Sequence, residues 1–232
     1  MGPVGPVLRS PVGLSHAVVA LLAFVVLADA FAFSTAVNLR SLMGSVIDGD
    51  VAAYSDEDLE RADWLMVGGS ALQLLALVAT AAVFIVWFYR VRSNAEVFAP
   101  DLMQRGKGWA IGSWFIPIAN LWIPRQIAGD VWTASRPDPY AGAKGDGRSA
   151  LNLWWTVMVV SFAIERIASK QYDRADSAEE LRSAANTLMF STVLDIVAAV
   201  LAILFVRRLT RMQHTKATGG APAPGEAAPA AV

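Results

Sequence analysis

The chain has no cysteine, and this absence removes several kinds of chemistry at once. Disulfide bonds, thiol nucleophiles and cysteine-ligated metal sites are all excluded. Histidine is almost as scarce, since His16 and His214 are the only two among 232 residues. A conventional zinc site needs more ligands of these types, so we expect no metal and no other cofactor.

Charge is scarce as well. Only 17% of the residues are charged and the formal net charge is −1, so there is no basic excess that would suggest a nucleic-acid partner. In contrast, 55% of the residues are hydrophobic, and they lie in long blocks. A bilayer requires unbroken apolar runs of about 20 residues, whereas a soluble domain disperses them. The composition therefore predicts an all-α integral membrane protein.

Four apolar blocks are long enough to cross a bilayer as helices, at residues 14–38, 65–89, 150–168 and 186–206. The first block contains Ala28-Asp29-Ala30, which has the small-x-small form of a signal-peptidase site. The apolar run continues beyond this motif and is too long for an ordinary signal peptide. We favour an uncleaved first span, with cleavage after Ala30 as the alternative.

The distribution of charge predicts the orientation of these spans. The segment after the first span is acidic, whereas basic clusters follow the second and fourth spans: Arg90, Arg92, Arg105 and Lys107, then Arg207, Arg208, Arg211 and Lys216. Basic residues are retained in the cytoplasm. We therefore expect a plasma-membrane protein with four spans and both termini cytoplasmic. This topology explains the first basic cluster without a ligand, and binding of anionic lipid is the alternative for that cluster.

A short internal repeat suggests that the spans form two similar hairpins. Residues 55–59 align with residues 177–181, and without a gap Gln73 then falls on Asp195. Ser55 with Asp58 and Ser177 with Glu180 have the spacing of a capping box, in which Asp is the weaker partner. The expected organisation is a flexible leader at 1–13, one transmembrane domain at 14–208, and a disordered tail at 209–232.

The central module, residues 95–135, is of a different kind. Its apolar part, 109–123, is too short to cross comfortably and is interrupted by proline. Pro124 would occupy the first turn of a short helix ending near Ser135. One side of that helix would be apolar, with Ile127, Ala128, Val131 and Trp132. This pattern predicts a Trp/Pro-rich re-entrant or interfacial segment on the cytoplasmic side.

Two sets of residues in the central module have alternative interpretations. The indoles of Trp109, Trp114, Trp122 and Trp132 would anchor the segment at the lipid headgroups, or else line an aromatic ligand pocket. Asn120, between Pro117 and Pro124, would line a gate or would cap the short helix.

The motifs of the central module also resemble a known family. They are Arg90-x-x-x-Asn94-Ala95, then Gly108-Trp109 through Trp114-Phe115-x-Pro117-x-x-Asn120-Leu121-Trp122-x-Pro124, and Asp130-x-Trp132-x-x-Ser135. The chain is similar here to the actinobacterial multi-pass membrane proteins described as domain of unknown function 4328. The similarity extends from about the second span to the last. It implies a membrane protein whose family has no assigned activity.

Three polar residues lie near the middle of predicted spans: Asp29, Gln73 and Asp195. Ionisable groups at that depth are costly and usually face the bundle interior or a wet cavity. One interpretation is a polar clasp between helices, with Gln73, Ser70, Ser161 or Asn152 as hydrogen-bond partners of the aspartates. The other is a site that handles protons or cations.

No nucleophile elbow, phosphate loop or metalloprotease helix is present, so we expect no enzyme. The leading hypothesis is a non-enzymatic membrane component that acts through membrane lipids, another membrane protein or a second copy of itself. The alternative is a small proton- or ion-coupled transporter or channel that uses Asp29 and Asp195.

Overall fold

The computed structural model describes residues 7–50, 54–141 and 148–219. These residues form six α-helices: α1 Val12–Asp48, α2 Asp56–Phe98, α3 Trp109–Gly112, α4 Ile123–Ala134, α5 Ser149–Asp173 and α6 Ala178–Thr218. Two 3₁₀ turns, Pro100–Leu102 and Ala119–Leu121, lie between α2 and α4. The described part of the chain contains no strand, which confirms the all-α class.

Four of the helices, α1, α2, α5 and α6, are long and apolar enough to cross a membrane. They contain the four predicted spans and are longer at both ends. α2, for example, begins at Asp56 and not near Leu65, and α6 continues to Thr218. The difference arises because an apolar run marks what lipid can cover, whereas a helix continues wherever its backbone remains bonded.

The predicted capping box forms at the start of α2, whereas only half of it forms at the start of α6. At the start of α2, Asp58 Oδ2 accepts hydrogen bonds from the Ser55 hydroxyl at 2.7 Å and the Ser55 backbone N–H at 3.0 Å. These two bonds from Ser55 hold the pKa of Asp58 below its ordinary value. At the start of α6, the Glu180 N–H donates to the Ser177 hydroxyl at 3.2 Å, but the Glu180 carboxylate accepts from Asp176. The longer glutamate thus reaches one residue beyond the cap.

The chain ends are more ordered than predicted where the structure describes them. Arg9, within the expected flexible leader, is bonded through its backbone to Asn94. The expected disordered tail is helical to Thr218, and Leu209 and Gln213 are fully buried. The prediction was wrong here because composition does not show that these two residues, one turn apart, share a packed face. Residues 1–6 and 220–232 lie outside the described residues.

The chain divides into two compact units. The first comprises the described parts of Met1–His16, Ile85–Arg148 and Val206–Val232. Its core contains large side chains with at most 2% exposure: Trp87, Phe88, Val91, Ile127, Val131, Trp132, Val206 and Leu209. The second unit comprises Ala17–Phe84 and Ser149–Phe205. There the Trp154 ring stacks on Phe205 at 4.9 Å and lies 5.8 Å from Phe84, so that α2, α5 and α6 share one aromatic contact.

Candidate functional site

Helix α4 has the amphipathic pattern that its sequence predicts. Pro124 lies in its first turn, and Ile127, Ala128, Val131 and Trp132 are each at most 2% exposed. Protein rather than lipid covers this apolar face. Trp132 is therefore not a headgroup anchor, and the Arg208 guanidinium lies 5.2 Å from the centre of its ring.

The remaining tryptophans of the central module have different surroundings. Trp114 meets Phe88 edge-on, with ring centroids 5.9 Å apart. Trp109 and Trp122 are 42% and 47% exposed. Since Trp132 is buried while Trp109 and Trp122 are open, the four indoles do not form one enclosed aromatic pocket.

Asn120 does not cap α4. Trp122 occupies the N-cap position, and no side chain bonds to the first turn. Asn120 instead belongs to the 3₁₀ turn Ala119–Leu121, where its backbone N–H donates to Ile116 O at 3.0 Å. The extra turn places Asn120 too far before the helix to act as a cap. The capping alternative is therefore wrong, because the proline spacing did not reveal the turn.

The segment Trp109–Trp122, which we call the apolar loop, exposes an unusual number of large hydrophobic side chains. They are Trp109, Ile111, Phe115, Ile116, Ile118, Leu121 and Trp122, each at least 40% exposed. No charged residue occurs between Lys107 and Arg125. A soluble monomer rarely exposes so many neighbouring apolar side chains, so the apolar loop is a candidate interaction site.

The backbone of the apolar loop is strained at Ile118. This β-branched residue has φ 68° and ψ −53°, and Ala119 N–H donates to Pro117 O at 2.7 Å. These values define a γ-turn of the rare, positive-φ type. Ile118 is 68% exposed at the tip. Strain of this kind persists where surrounding structure enforces it, and it is concentrated at functional sites.

A buried polar network lies in the first unit, and sequence inspection did not identify it. Gln213 is 1% exposed and donates to Val91 O at 2.8 Å and to Ser135 Oγ at 3.1 Å. Its side-chain oxygen accepts from Asn94 at 3.1 Å. Asn94 also pairs with both backbone groups of Arg9, accepting from its N–H at 3.0 Å and donating to its C=O at 2.8 Å.

This network gives a physical role to residues of the resemblance motifs. Asn94 and Ser135 bond to Gln213, and Trp132 is packed in the same unit. Lys216 extends the pattern, because its ammonium donates to Ala134 O at 2.9 Å and Arg136 O at 2.7 Å at the end of α4. Partial burial lowers the pKa of Lys216. These motif residues are therefore structural.

The basic cluster after the second span is largely engaged with the protein itself. Arg92 is buried, pairs with Glu96 at 3.2 Å and donates to Arg105 O. Lys107 also pairs with Glu96 at 3.2 Å. Nearby, burial raises the pKa of Asp130 despite the opposing effect of Arg105, Arg148 and Arg92. Arg92 and Lys107 therefore have partners within the protein.

The predicted polar layer lies in the second unit. Gln73 donates to Asp29 Oδ1 at 3.0 Å, and Asp29 is only 4% exposed. Gln73 was one of the four predicted partners. Ser161, another of them, is buried, and its hydroxyl donates to Met158 O at 3.0 Å. The structure thus joins Asp29 and Gln73, and Asp195 lies within electrostatic range of Asp29.

Glu165 of α5 is a member of this cluster that sequence reasoning missed. It interacts electrostatically with both Asp29 and Asp195, and Arg166 acts on it in turn. The signal was present, since Glu165-Arg166 is a charged pair inside the predicted third span. Within residues 7–50, 54–141 and 148–219, no three His, Cys, Asp or Glu side chains are grouped to hold a metal ion.

The fold and its four membrane-length helices define a polytopic α-helical membrane protein. Residues 50–211 match the family model described as domain of unknown function (DUF4328), and the chain belongs to that family. The match confirms the resemblance carried by the central motifs. No curated protein and no solved structure matches the chain.

Proposed function

We propose that the protein is a non-enzymatic component of the plasma membrane and that its apolar loop contacts the lipid bilayer. The proposal includes four spans arranged as two hairpins, with both termini and the central module cytoplasmic. The retention of basic residues in the cytoplasm supports this topology. The absence of a catalytic motif supports the non-enzymatic assignment.

The exposed side chains of the apolar loop are the observation that carries the lipid-contact proposal. Phe115 and Ile118 are 71% and 68% exposed, and a tryptophan stands at each end of the loop. Indole rings favour the headgroup level of a bilayer. The stretch between Lys107 and Arg125 has no charged residue, so no ionised side chain has to enter the lipid. A bilayer covers such a loop without a dedicated partner protein.

Site-directed spin labelling tests this proposal directly, because the chain has no cysteine and one introduced thiol is unique. Phe115→Cys places a nitroxide on the apolar loop. Tyr140→Cys is the matched control, since Tyr140 is an aromatic residue of the first unit with 65% exposure. The full-length protein is reconstituted in nanodiscs that contain anionic lipid. Collisions with oxygen, which enters the bilayer, are compared with those of a water-soluble nickel chelate.

We expect the label at 115 to collide often with oxygen and to be shielded from nickel, and the label at 140 to collide often with nickel and less often with oxygen. A label at 115 that nickel reaches as freely as the control would overturn the lipid contact. Shielding of position 115 from both reagents would also overturn it and would indicate that protein covers the loop. A one-sided topology reporter inserted at Tyr140 tests the orientation, for which we expect a cytoplasmic signal.

The second candidate function is a small proton- or ion-coupled transporter. The observation that favours it is the polar cluster of Asp29, Gln73 and Asp195 inside membrane-length helices. Ion- or pH-dependent flux in proteoliposomes tests this function. We expect Asp29→Asn and Asp195→Asn each to abolish flux while the protein still inserts, and normal flux in both variants would contradict it.

A further inference from the structure

Residues 7–10, which we call the N-terminal strap, lie against α2 in the first unit and are not helical. The strap is held through its main chain. Asn94 Oδ1 accepts the N–H of Arg9 at 3.0 Å, and Asn94 Nδ2 donates to the C=O of Arg9 at 2.8 Å. Arg90, one turn before Asn94 on α2, donates from Nη1 to Ser10 O at 3.3 Å. Two side chains of α2 thus bind the backbone of two successive residues.

The side chains of the N-terminal strap contribute little to this attachment. All four residues are exposed, and the protein leaves 68% of Val7 and 38% of Leu8 uncovered. The Arg9 guanidinium makes no hydrogen bond or ion pair with the described part of the chain. A segment that buries little apolar surface and is held by a few hydrogen bonds belongs to the least stable part of a fold, so it opens locally.

The buried network orients Asn94 for this contact. Gln213 Nε2 donates to the backbone carbonyl of Val91 at 2.8 Å, and a carbonyl oxygen can only accept. The side-chain oxygen of Gln213 therefore faces Asn94, which must present its NH₂ group to it. This orientation leaves Asn94 Oδ1 for the N–H of Arg9 and the second amide hydrogen for the Arg9 C=O. Asn94 and Gln213 are 4% and 1% exposed, so the orientation is fixed inside the protein.

The donor and acceptor of Asn94 match what one residue of an extended chain offers. In an extended backbone the N–H and C=O of the same residue point to the same side, as in the hydrogen-bonded pairs of an antiparallel sheet. For Arg9, the Asn94 amide takes the place of the neighbouring strand. Main-chain hydrogen bonds of this kind give affinity without requiring a particular side chain. The chemical class that fits the site is therefore an extended polypeptide.

We propose that Asn94 and Arg90 form a binding site for an extended polypeptide backbone, and that the N-terminal strap is its resident ligand, which exchanges with a free peptide of the same sequence. A tethered segment has an effective concentration in the millimolar range, so the strap occupies the site when no peptide is present. A free peptide binds when the strap opens. Peptide binding at this site depends neither on the lipid contact of the apolar loop nor on the orientation of the protein in the membrane.

A nitroxide at Leu8→Cys in the full-length protein, reconstituted in nanodiscs, reports the state of the strap, because the chain has no other cysteine. We expect an electron paramagnetic resonance spectrum that is mostly immobile, with a small mobile fraction. Arg9→Pro removes the N–H that Asn94 accepts and leaves the bonds of Gln213 in place, so the mobile fraction should rise severalfold. Arg9→Ala is the matched control, since it retains both main-chain bonds and should leave the spectrum unchanged.

A capped peptide with the sequence of residues 7–11 tests the exchange. At a concentration equal to the effective concentration of the strap, this peptide should bring the mobile fraction to about one half. The same peptide with proline in place of its arginine should have no effect. A strap that stays immobile in Arg9→Pro, or one that is as mobile in Arg9→Ala as in Arg9→Pro, would overturn recognition through the backbone. No response to the first peptide, or an equal response to both, would overturn the exchange.

Discussion

Replacing Gln213 with Met tests whether the buried network holds the first unit together. Methionine has a similar length and no amide, so the change removes the three hydrogen bonds to Val91, Ser135 and Asn94 without opening a large cavity. Each bond is worth about 1 kcal/mol net. Ser135 still donates to Val131 O, and Asn94 still donates to Arg9 O, so neither partner loses all its bonds. A thioether is easier to bury than an amide, and this offsets part of the loss. We therefore expect the free energy of unfolding to fall by about 2 kcal/mol.

The opening of the unit can be measured through a buried thiol, because the background is free of cysteine. Ser113→Cys is a suitable probe, since Ser113 is fully buried and its hydroxyl has no hydrogen-bond partner among the described residues. Ala128→Cys, on the buried face of α4, is a second probe that does not depend on movement of the apolar loop. When closing is faster than labelling, the labelling rate follows the population of the open form. A loss of about 2 kcal/mol then accelerates labelling about thirtyfold.

Gln126→Met is the matched control, because Gln126 is the exposed glutamine of α4 and should leave the labelling rate unchanged. If both probes in Gln213→Met are labelled at the wild-type rate, the network does not stabilise the unit. Equal acceleration by Gln126→Met would also refute a stabilising role of the network, since the effect would then arise from methionine and not from the lost bonds.

Three further predictions concern single side chains. Burial raises the pKa of Asp130, so the free energy of unfolding of the first unit falls as the pH rises from the ordinary pKa of Asp to the raised pKa of Asp130. Asp130→Asn should remove this fall. The variant and the wild type should have equal melting temperatures below this pH range, and the variant should have the higher melting temperature above it. Ser55→Ala should destabilise the first turn of α2 by about 1 kcal/mol, and hydrogen exchange of the Leu59 amide would report this loss. In the wild type, lowering the pH through the depressed pKa of Asp58 should weaken the same turn. Lys216→Met should accelerate amide exchange at the end of α4 by an amount equivalent to about 1–2 kcal/mol, because two carbonyls lose a charged donor; unchanged exchange would contradict its capping role.

The membrane-length helices could be predicted from sequence because lipid imposes a single requirement on every residue of a span. The apolar runs at 65–89 and 186–206 needed no knowledge of neighbouring helices. The helix ends could not be predicted in the same way. Leu209 and Gln213 lie in a stretch of ordinary composition, and their burial depends on packing in the first unit.

The candidate sites could be predicted only in part, for a similar reason. Asp29 and Asp195 are conspicuous because charge is costly inside an apolar run, whereas the pairing of Asp29 with Gln73 depends on helix rotation. Asn94 and Gln213 stand among polar residues and give no such signal. The γ-turn at Ile118 was also hidden, because isoleucine is not a residue that suggests positive φ.

The bond between Asn94 and Arg9 uses only the backbone of residue 9. This pair of hydrogen bonds does not depend on the side chain at position 9. Only proline, which has no N–H to donate, cannot form both bonds. Asn94 lies within the matched region 50–211, and Arg9 lies before it. Family members with the same asparagine can therefore hold N-terminal segments of unrelated sequence in one fixed register. Variation at this position should be wide, with proline missing from it.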